Sequence, residues 1–227
     1  MAAKPRLGCL HAHHSNIPYI DSIVPSDDID AVHFVEPGLL QRIGADPGFD
    51  AAQAGTQVQR QLDWMASCNL NAILVTCTNY IAAMPAQETL HGLPIIKIDE
   101  PFFAYLVEQP APHLLLFSNP DTVAGTVQRF NAYAANLGRT PEIEVEVIPN
   151  TFNLFLTGRT EAYTIAVAER LRELIRLGRY RSLSVGQLSM VESARRVAAE
   201  SGVPIGNPLQ PLRAFLDKAL LTGVVQR

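Results

Sequence analysis

The sequence predicts an α/β fold made of two pseudo-equivalent lobes, each a short parallel sheet flanked by helices. Three observations lead there. Apolar strand-like runs alternate with helix-like segments along the whole chain. Several of those runs are apolar throughout rather than alternating, as expected of strands buried on both faces of a parallel sheet. Finally, two segments 110 residues apart share one layout, so the chain reads as a device used twice.

The strand-like runs are RLGCLHA (6–12), DAVHFVE (30–36), NAILVTC (71–77), LPIIKID (93–99), HLLLFSN (113–119), EIEVEVI (142–148) and SLSVGQL (182–188), with a short eighth, VPIGNP (203–208). Between them, residues 57–67 place Val58, Leu62 and Met65 near helical spacing. Residues 121–137 open on an Asp cap candidate and close at Gly138; 160–177, the longest helix, ends at Gly178. Helices over 191–201 and 210–221 are followed by Gly202 and Gly223. The repeated layout is NAILVTCTNY…HGLPIIKIDEP and RSLSVGQLSM…SGVPIGNPLQP: strand, polar turn, helix, Gly-x-Pro-Ile, short strand. From Cys77 to Pro94 and from Gln187 to Pro204 the spacing is the same 17 residues, which puts Cys77 and Gln187 in matching positions.

Bulk properties narrow the function. The chain has 227 residues, enough for one large domain or two small lobes, and about half of them are apolar. A net charge of -4 and the lack of a Lys/Arg cluster argue against nucleic acid as partner; the basic run 170–181 reads as the solvated face of a helix. Three cysteines (Cys9, Cys68, Cys77) without framework spacing do not suit a secreted disulfide scaffold. No apolar run reaches the roughly 18 residues of a membrane span, and the first ten residues are too short for a signal peptide, so a cytoplasmic protein with no membrane partner is expected.

In sheets of this kind, functional groups gather just after the strands. ILVTCTNY followed by GLPIIKID resembles the first cysteine motif of the aspartate/glutamate/hydantoin racemase superfamily, LSVGQLSMVESARRVAAESGVPI resembles its second, and LLLFSNPDTVAG resembles the turn that opens its second lobe. The resemblance covers most of the chain in the right order. It implies a small active site in the cleft between the lobes, with a carboxy-terminal helix returning to the first: residues 1–100 plus 207–227 form one lobe and 101–206 the other. It also implies chemistry without a cofactor, in which one thiol removes the proton from a carbon next to a carboxylate and a thiol on the opposite face returns it. A small carboxylate substrate and a homodimer follow as family expectations.

Cys77 sits at a strand end before a helix start, where backbone amides and the helix dipole favour the thiolate. That makes it the candidate acid/base or nucleophile; the competing reading is a small buried hydrophobe, the usual fate of a free cysteine and the reading preferred for Cys9 and Cys68. Thr78 and Asn79 offer polar groups and amides to a substrate carboxylate. Gln187 stands where the resemblance places the second cysteine, and an amide exchanges no proton with carbon at neutral pH. Ser189, two residues on, is a poor base unaided. Symmetric two-thiol racemisation is therefore in question. A decarboxylase of the arylmalonate decarboxylase type needs only one acid, an isomerase could use Cys77 as a nucleophile, and a carboxylate-binding protein on a decayed racemase scaffold would also look like this.

The first strand runs into His11-Ala12-His13-His14-Ser15-Asn16. Imidazoles titrate near neutrality, so His13 or His14 is a candidate for the missing base or a partner that activates Cys77. Ser15 and Asn16 are candidate carboxylate contacts. His-x-His after a first strand also occurs in metal-dependent hydrolases, but the further ligands such a site needs are not visible: His33 lies inside a strand, and His91 and His113 precede strands. No metal and no other cofactor are expected. The third reading is that these histidines bond to backbone and cap the strand; His11, still within the strand, is the least promising of the three. In the second lobe, Ser118, Asn119 and Thr122 follow a strand and are expected, by resemblance, to hold a carboxylate together with Gln187 and Ser189; a helix cap at Asn119 or Asp121 is the competing reading.

Overall fold

A computed structural model describes residues 3–24, 27–85 and 87–221. The chain divides into two compact units, Met1–Glu100 with Leu212–Arg227, and Pro101–Pro211.

In the first unit the strands are β1 (Arg6–His11), β2 (Asp30–Val35), β3 (Ala72–Val75), β4 (Thr89–Leu90) and β5 (Leu93–Lys97), in the order β2-β1-β3-β5-β4. All pairs are parallel except β4 with β5. The central β3 is buried at every position, whereas the edge strand β2 is half-exposed along its length. That difference is why β3 reads as an unbroken apolar run and β2 does not. The β4–β5 hairpin turns at His91 and Gly92, both at positive φ (49° and 83°), the geometry of a two-residue primed turn. The helices here are α1 (Ile17–Asp21), α2 (Gly38–Ala45), α3 (Ala51–Ala66) and α4 (Thr78–Ala83). The helix expected over 57–67 begins earlier, at Ala51. Asp50 caps it, and a reciprocal Asp50–Gln53 capping box holds its first turn.

In the second unit β6 (His113–Phe117), β7 (Ile143–Val147), β8 (Ser182–Val185) and β9 (Ile205–Gly206) form an all-parallel sheet in the order β7-β6-β8-β9. Helices α6 (Val123–Asn136), α7 (Thr151–Leu156), α8 (Thr160–Leu177) and α9 (Val191–Ser201) belong to this unit; α5 (Asp99–Val107) and α10 (Leu209–Leu216) contain the two points where the chain passes between units. One apolar cluster joins β6 and β8 to α8 and α9 through Leu114, Leu116, Val167, Leu171, Val185 and Val197. A second joins Phe102, Phe103 and Leu106 of α5 to Leu115, Phe117 and Phe130. The order β2-β1-β3-β5 in one sheet matches β7-β6-β8-β9 in the other. Cys77 follows β3 and Gln187 follows β8, so the two occupy equivalent places in the two topologies.

Candidate active site

In the first unit, Cys77 leaves β3 in extended backbone (φ −110°, ψ 121°) as the N-cap of α4, and its side chain makes no capping bond. It is half-buried, as are Thr78 and Asn79 in the first turn of α4. Two residues fasten this corner. Tyr80, fully buried, donates its hydroxyl to the carboxylate of Glu36, which also accepts the amides of Gly38 (2.7 Å) and Leu39 (3.2 Å). Burial and the neighbouring Glu36 push the Tyr80 phenol well above its ordinary range, so it remains a donor. Thr76, buried just before Cys77, lies within bonding distance of the Leu10 carbonyl (3.0 Å) and His11 Nδ1 (2.9 Å).

From Thr76 a chain of polar contacts runs across β1 and β2. His11 Nδ1 is 2.9 Å from Thr76 Oγ1, His11 Nε2 is 2.9 Å from His33 Nδ1, and His33 Nε2 is 2.9 Å from a carboxylate oxygen of Asp21. Burial, and then the neighbouring His33, push the His11 imidazole down to about 4, so it is neutral at physiological pH. The histidine least promising in sequence is thus the one at the centre of the polar chain. Its partner His33 lies inside the edge strand β2, where a side chain still has a face of the sheet to occupy. No signal in the sequence pairs them; the β1–β2 register does.

His13 and His14 are exposed, their rings 4.3 Å apart between centroids. His13 caps the 3-10 turn His14–Asn16, its Nδ1 accepting the Ser15 amide (3.2 Å) and lying 2.8 Å from Ser15 Oγ. Burial and the adjacent His14 lower its pKa. Asn16 Nδ2 lies 3.5 Å from Thr76 Oγ1, so the loop carrying His13, His14, Ser15 and Asn16 abuts the residue that precedes Cys77.

In the second unit, Gln187 leaves β8 in extended backbone (φ −133°, ψ 145°), as Cys77 leaves β3. Its Oε1 accepts from the Ser118 amide (2.7 Å), the Asn119 amide (3.0 Å) and the Ser118 hydroxyl (2.8 Å), while Nε2 donates to Thr122 Oγ1 (3.2 Å). Three donors converging on one oxygen define which end of the amide faces the turn. Asn119 in turn caps the 3-10 turn Pro120–Thr122 by accepting the Asp121 amide. The Tyr163 hydroxyl lies between Ser118 Oγ (2.9 Å) and Ser189 Oγ (2.7 Å). Ser118, Asn119, Thr122, Gln187 and Ser189 are therefore one bonded cluster. Its carbonyl acceptor sits on the amides that the sequence suggested for a carboxylate. Cys9 is fully buried and Cys68 half-buried, its thiol directed at the Trp64 carbonyl. Among the described residues, no helix is long and apolar enough to cross a membrane.

No protein-family model and no curated protein matches the chain. Solved structures do. A glutamate racemase isoform from Bacillus anthracis superposes with a TM-score of 0.69 at 14% identity, covering 97% of this chain and 83% of that one. An allantoin racemase from Klebsiella pneumoniae gives 0.68 at 14% identity, covering 99% and 91%. An aspartate racemase from Picrophilus torridus gives 0.67 at 10% identity, covering 95% and 94%. At these identities the likeness is one of fold, and the chain has the α/β fold, with two parallel sheets flanked by helices, of the aspartate, glutamate and allantoin racemases.

Proposed function

We propose that the protein is a cofactor-independent enzyme of racemase or isomerase type, acting at the carbon next to the carboxylate of a small amino acid or a related acid. Cys77 is its acid/base or nucleophile. The observation that carries this reading is the placement of Cys77: a half-buried thiol on the C-terminal end of a central parallel strand, at a helix start, in a fold shared with three kinds of racemase. Thr78 and Asn79 bind the substrate carboxylate beside the thiol, with Ser15 and Asn16. His13 or His14, on the loop that abuts Thr76, supplies the second proton-transfer group. Asn119, Thr122, Gln187 and Ser189, each half-buried, are further substrate contacts in this reading, and buried Ser118 holds Gln187 in place.

One observation favours a second reading, a single-thiol decarboxylase. Gln187, at the place equivalent to Cys77, is spent on the Ser118–Thr122 turn and holds no acidic proton. Loss of carbon dioxide from a malonate leaves an enediolate that Cys77 alone can protonate. Incubation in deuterium oxide separates the two. A racemase washes deuterium into the alpha carbon of its amino acid, while a decarboxylase releases carbon dioxide from malonates. In either case Cys77→Ser lowers the rate by at least about 100-fold, the scale of a lost general acid/base. If a broad panel of amino acids and malonates shows neither reaction, both readings fail.

A further inference from the structure

Three metal-ligating side chains meet on one face of the first unit's sheet. Cys9 and His11 are two apart on β1 and so point the same way; His33 on β2 is in register with Cys9 and shares that face. The Cys9 sulfur and one ring nitrogen from each histidine all lie within 4.8 Å of one another. Tetrahedral Zn–S and Zn–N bonds of about 2.3 and 2.0 Å set ligand separations of about 3.3–3.6 Å, so an ion requires the widest pair to close by up to about 1.5 Å. His11 Nε2 and His33 Nδ1, now 2.9 Å apart in hydrogen-bond contact, would part by about 0.4 Å to share the ion.

The outer contacts match those that metal-ligating histidines make. Ligating histidines characteristically donate their other ring N–H to a carboxylate or another oxygen, which orients the ring and raises its basicity. His33 Nε2 faces the Asp21 carboxylate and His11 Nδ1 faces Thr76 Oγ1, both at 2.9 Å. Cys9 and His11 are fully buried, and His33 is 18% exposed. Without an ion, the contacts are satisfied by donation in one direction: Thr76 hydroxyl to His11 Nδ1, His11 Nε2–H to His33 Nδ1, His33 Nε2–H to Asp21. With an ion, Thr76 turns its hydroxyl to the Leu10 carbonyl, 3.0 Å away. The His11 proton moves from Nε2 to Nδ1, and Cys9 gives up its thiol proton. One proton leaves per ion bound. Zn²⁺ with one thiolate carries a single positive charge, which the Asp21 carboxylate offsets.

We propose that Cys9, His11 and His33 supply three ligands of a zinc site, with Asp21 and Thr76 as its outer shell. A thiolate with two imidazoles suits zinc rather than magnesium or calcium. The ion would pin β1 to β2 and orient Thr76, the residue before Cys77. The site stands independently of the reaction proposed above, because its readout is binding.

The test is a titration of tag-free, chelator-stripped protein with Zn²⁺, and with Co²⁺ as the spectroscopic probe. The expected result is one ion per chain, a cobalt–thiolate charge-transfer band in the near ultraviolet, and release of one proton per ion, read by calorimetry in buffers of different ionisation enthalpy. Cys9→Ser removes the band. Asp21→Ala, at an exposed position that does not endanger folding, weakens binding about 10- to 100-fold, as loss of an outer-shell partner does elsewhere. A Cys68→Ser/Cys77→Ser double variant still binds. The proposal is overturned if the wild-type chain takes up no stoichiometric ion. It is equally overturned if Asp21→Ala and His33→Gln bind as tightly as wild type, or if the band disappears with Cys68 and Cys77 instead of Cys9.

Discussion

At the scale of the residue, Gln187 shows how one side chain decides what a turn can do. A thiol at this position would be available to a carbon acid; the amide is instead the acceptor for two backbone N–H groups and a hydroxyl. Because the turn uses the amide's oxygen far more than its nitrogen, the physical requirement is for an acceptor of that reach. Gln187→Glu keeps it, as a charge-assisted acceptor, and is expected to stay within about 1 kcal/mol of wild type in chemical denaturation. Gln187→Ala leaves the Ser118 and Asn119 amides without their partner and is expected to cost about 1–3 kcal/mol. Equal destabilisation by both variants would show that the side chain matters for packing rather than for satisfying the turn.

At the scale of the element, the turn after β8 is built on a close approach of backbone to a buried ring. Gly186 joins β8 to Gln187, and a Cβ there would lie 2.7–3.1 Å from the Phe117 ring, whose strand β6 leads into Ser118. Phe117 is fully buried in the cluster with Phe102 and Phe103, so its ring has little room to retreat. Gly186→Ala is therefore expected to destabilise by about 1–3 kcal/mol, the ordinary cost of overpacking, and to disturb the Ser118–Gln187 bonds with it. A crystal structure or amide exchange at Ser118 and Asn119 checks this; a variant with wild-type stability and unaltered protection there contradicts it. On the first sheet, the Tyr80–Glu36 bond does the corresponding work, fastening the helix that Cys77 begins.

At the scale of the whole molecule, His113 links stability to pH. It opens β6, 1% exposed, with Nε2 on Ser184 Oγ (3.0 Å) and no partner for Nδ1 among the described residues. Burial pushes its imidazole down to about 4 from an ordinary 6.5. Between those values the unfolded chain binds a proton that the native chain refuses, so stability falls as pH falls from about 6.5 and levels off near 4. The amount is of order a few kcal/mol for a fully buried group. Denaturation midpoints measured across that window should drop for wild type and drop less for His113→Gln; identical slopes in both proteins would refute the assignment.

Much of the architecture was legible in the chain. The unbroken apolar runs became the buried strands, the glycine-ended helices over 160–177 and 191–201 hold to the residue, and the layout repeated 110 residues apart is a shared strand order. The short α1, α2, α4 and α7 left no period long enough to read, and the β4–β5 hairpin hides in two residues at positive φ. Placement of Cys77 at a strand end was likewise a local matter, decided by a hydrophobic run and where it stops. Which side chains meet was not. Periodicity tells which face a residue takes, but register tells which neighbour it finds there. Only the pairing of β1 with β2 brought His11 and His33 together beside Cys9. Only the fold of β6 against β8 let Gln187 reach the amides of Ser118 and Asn119 across 69 and 68 residues of chain.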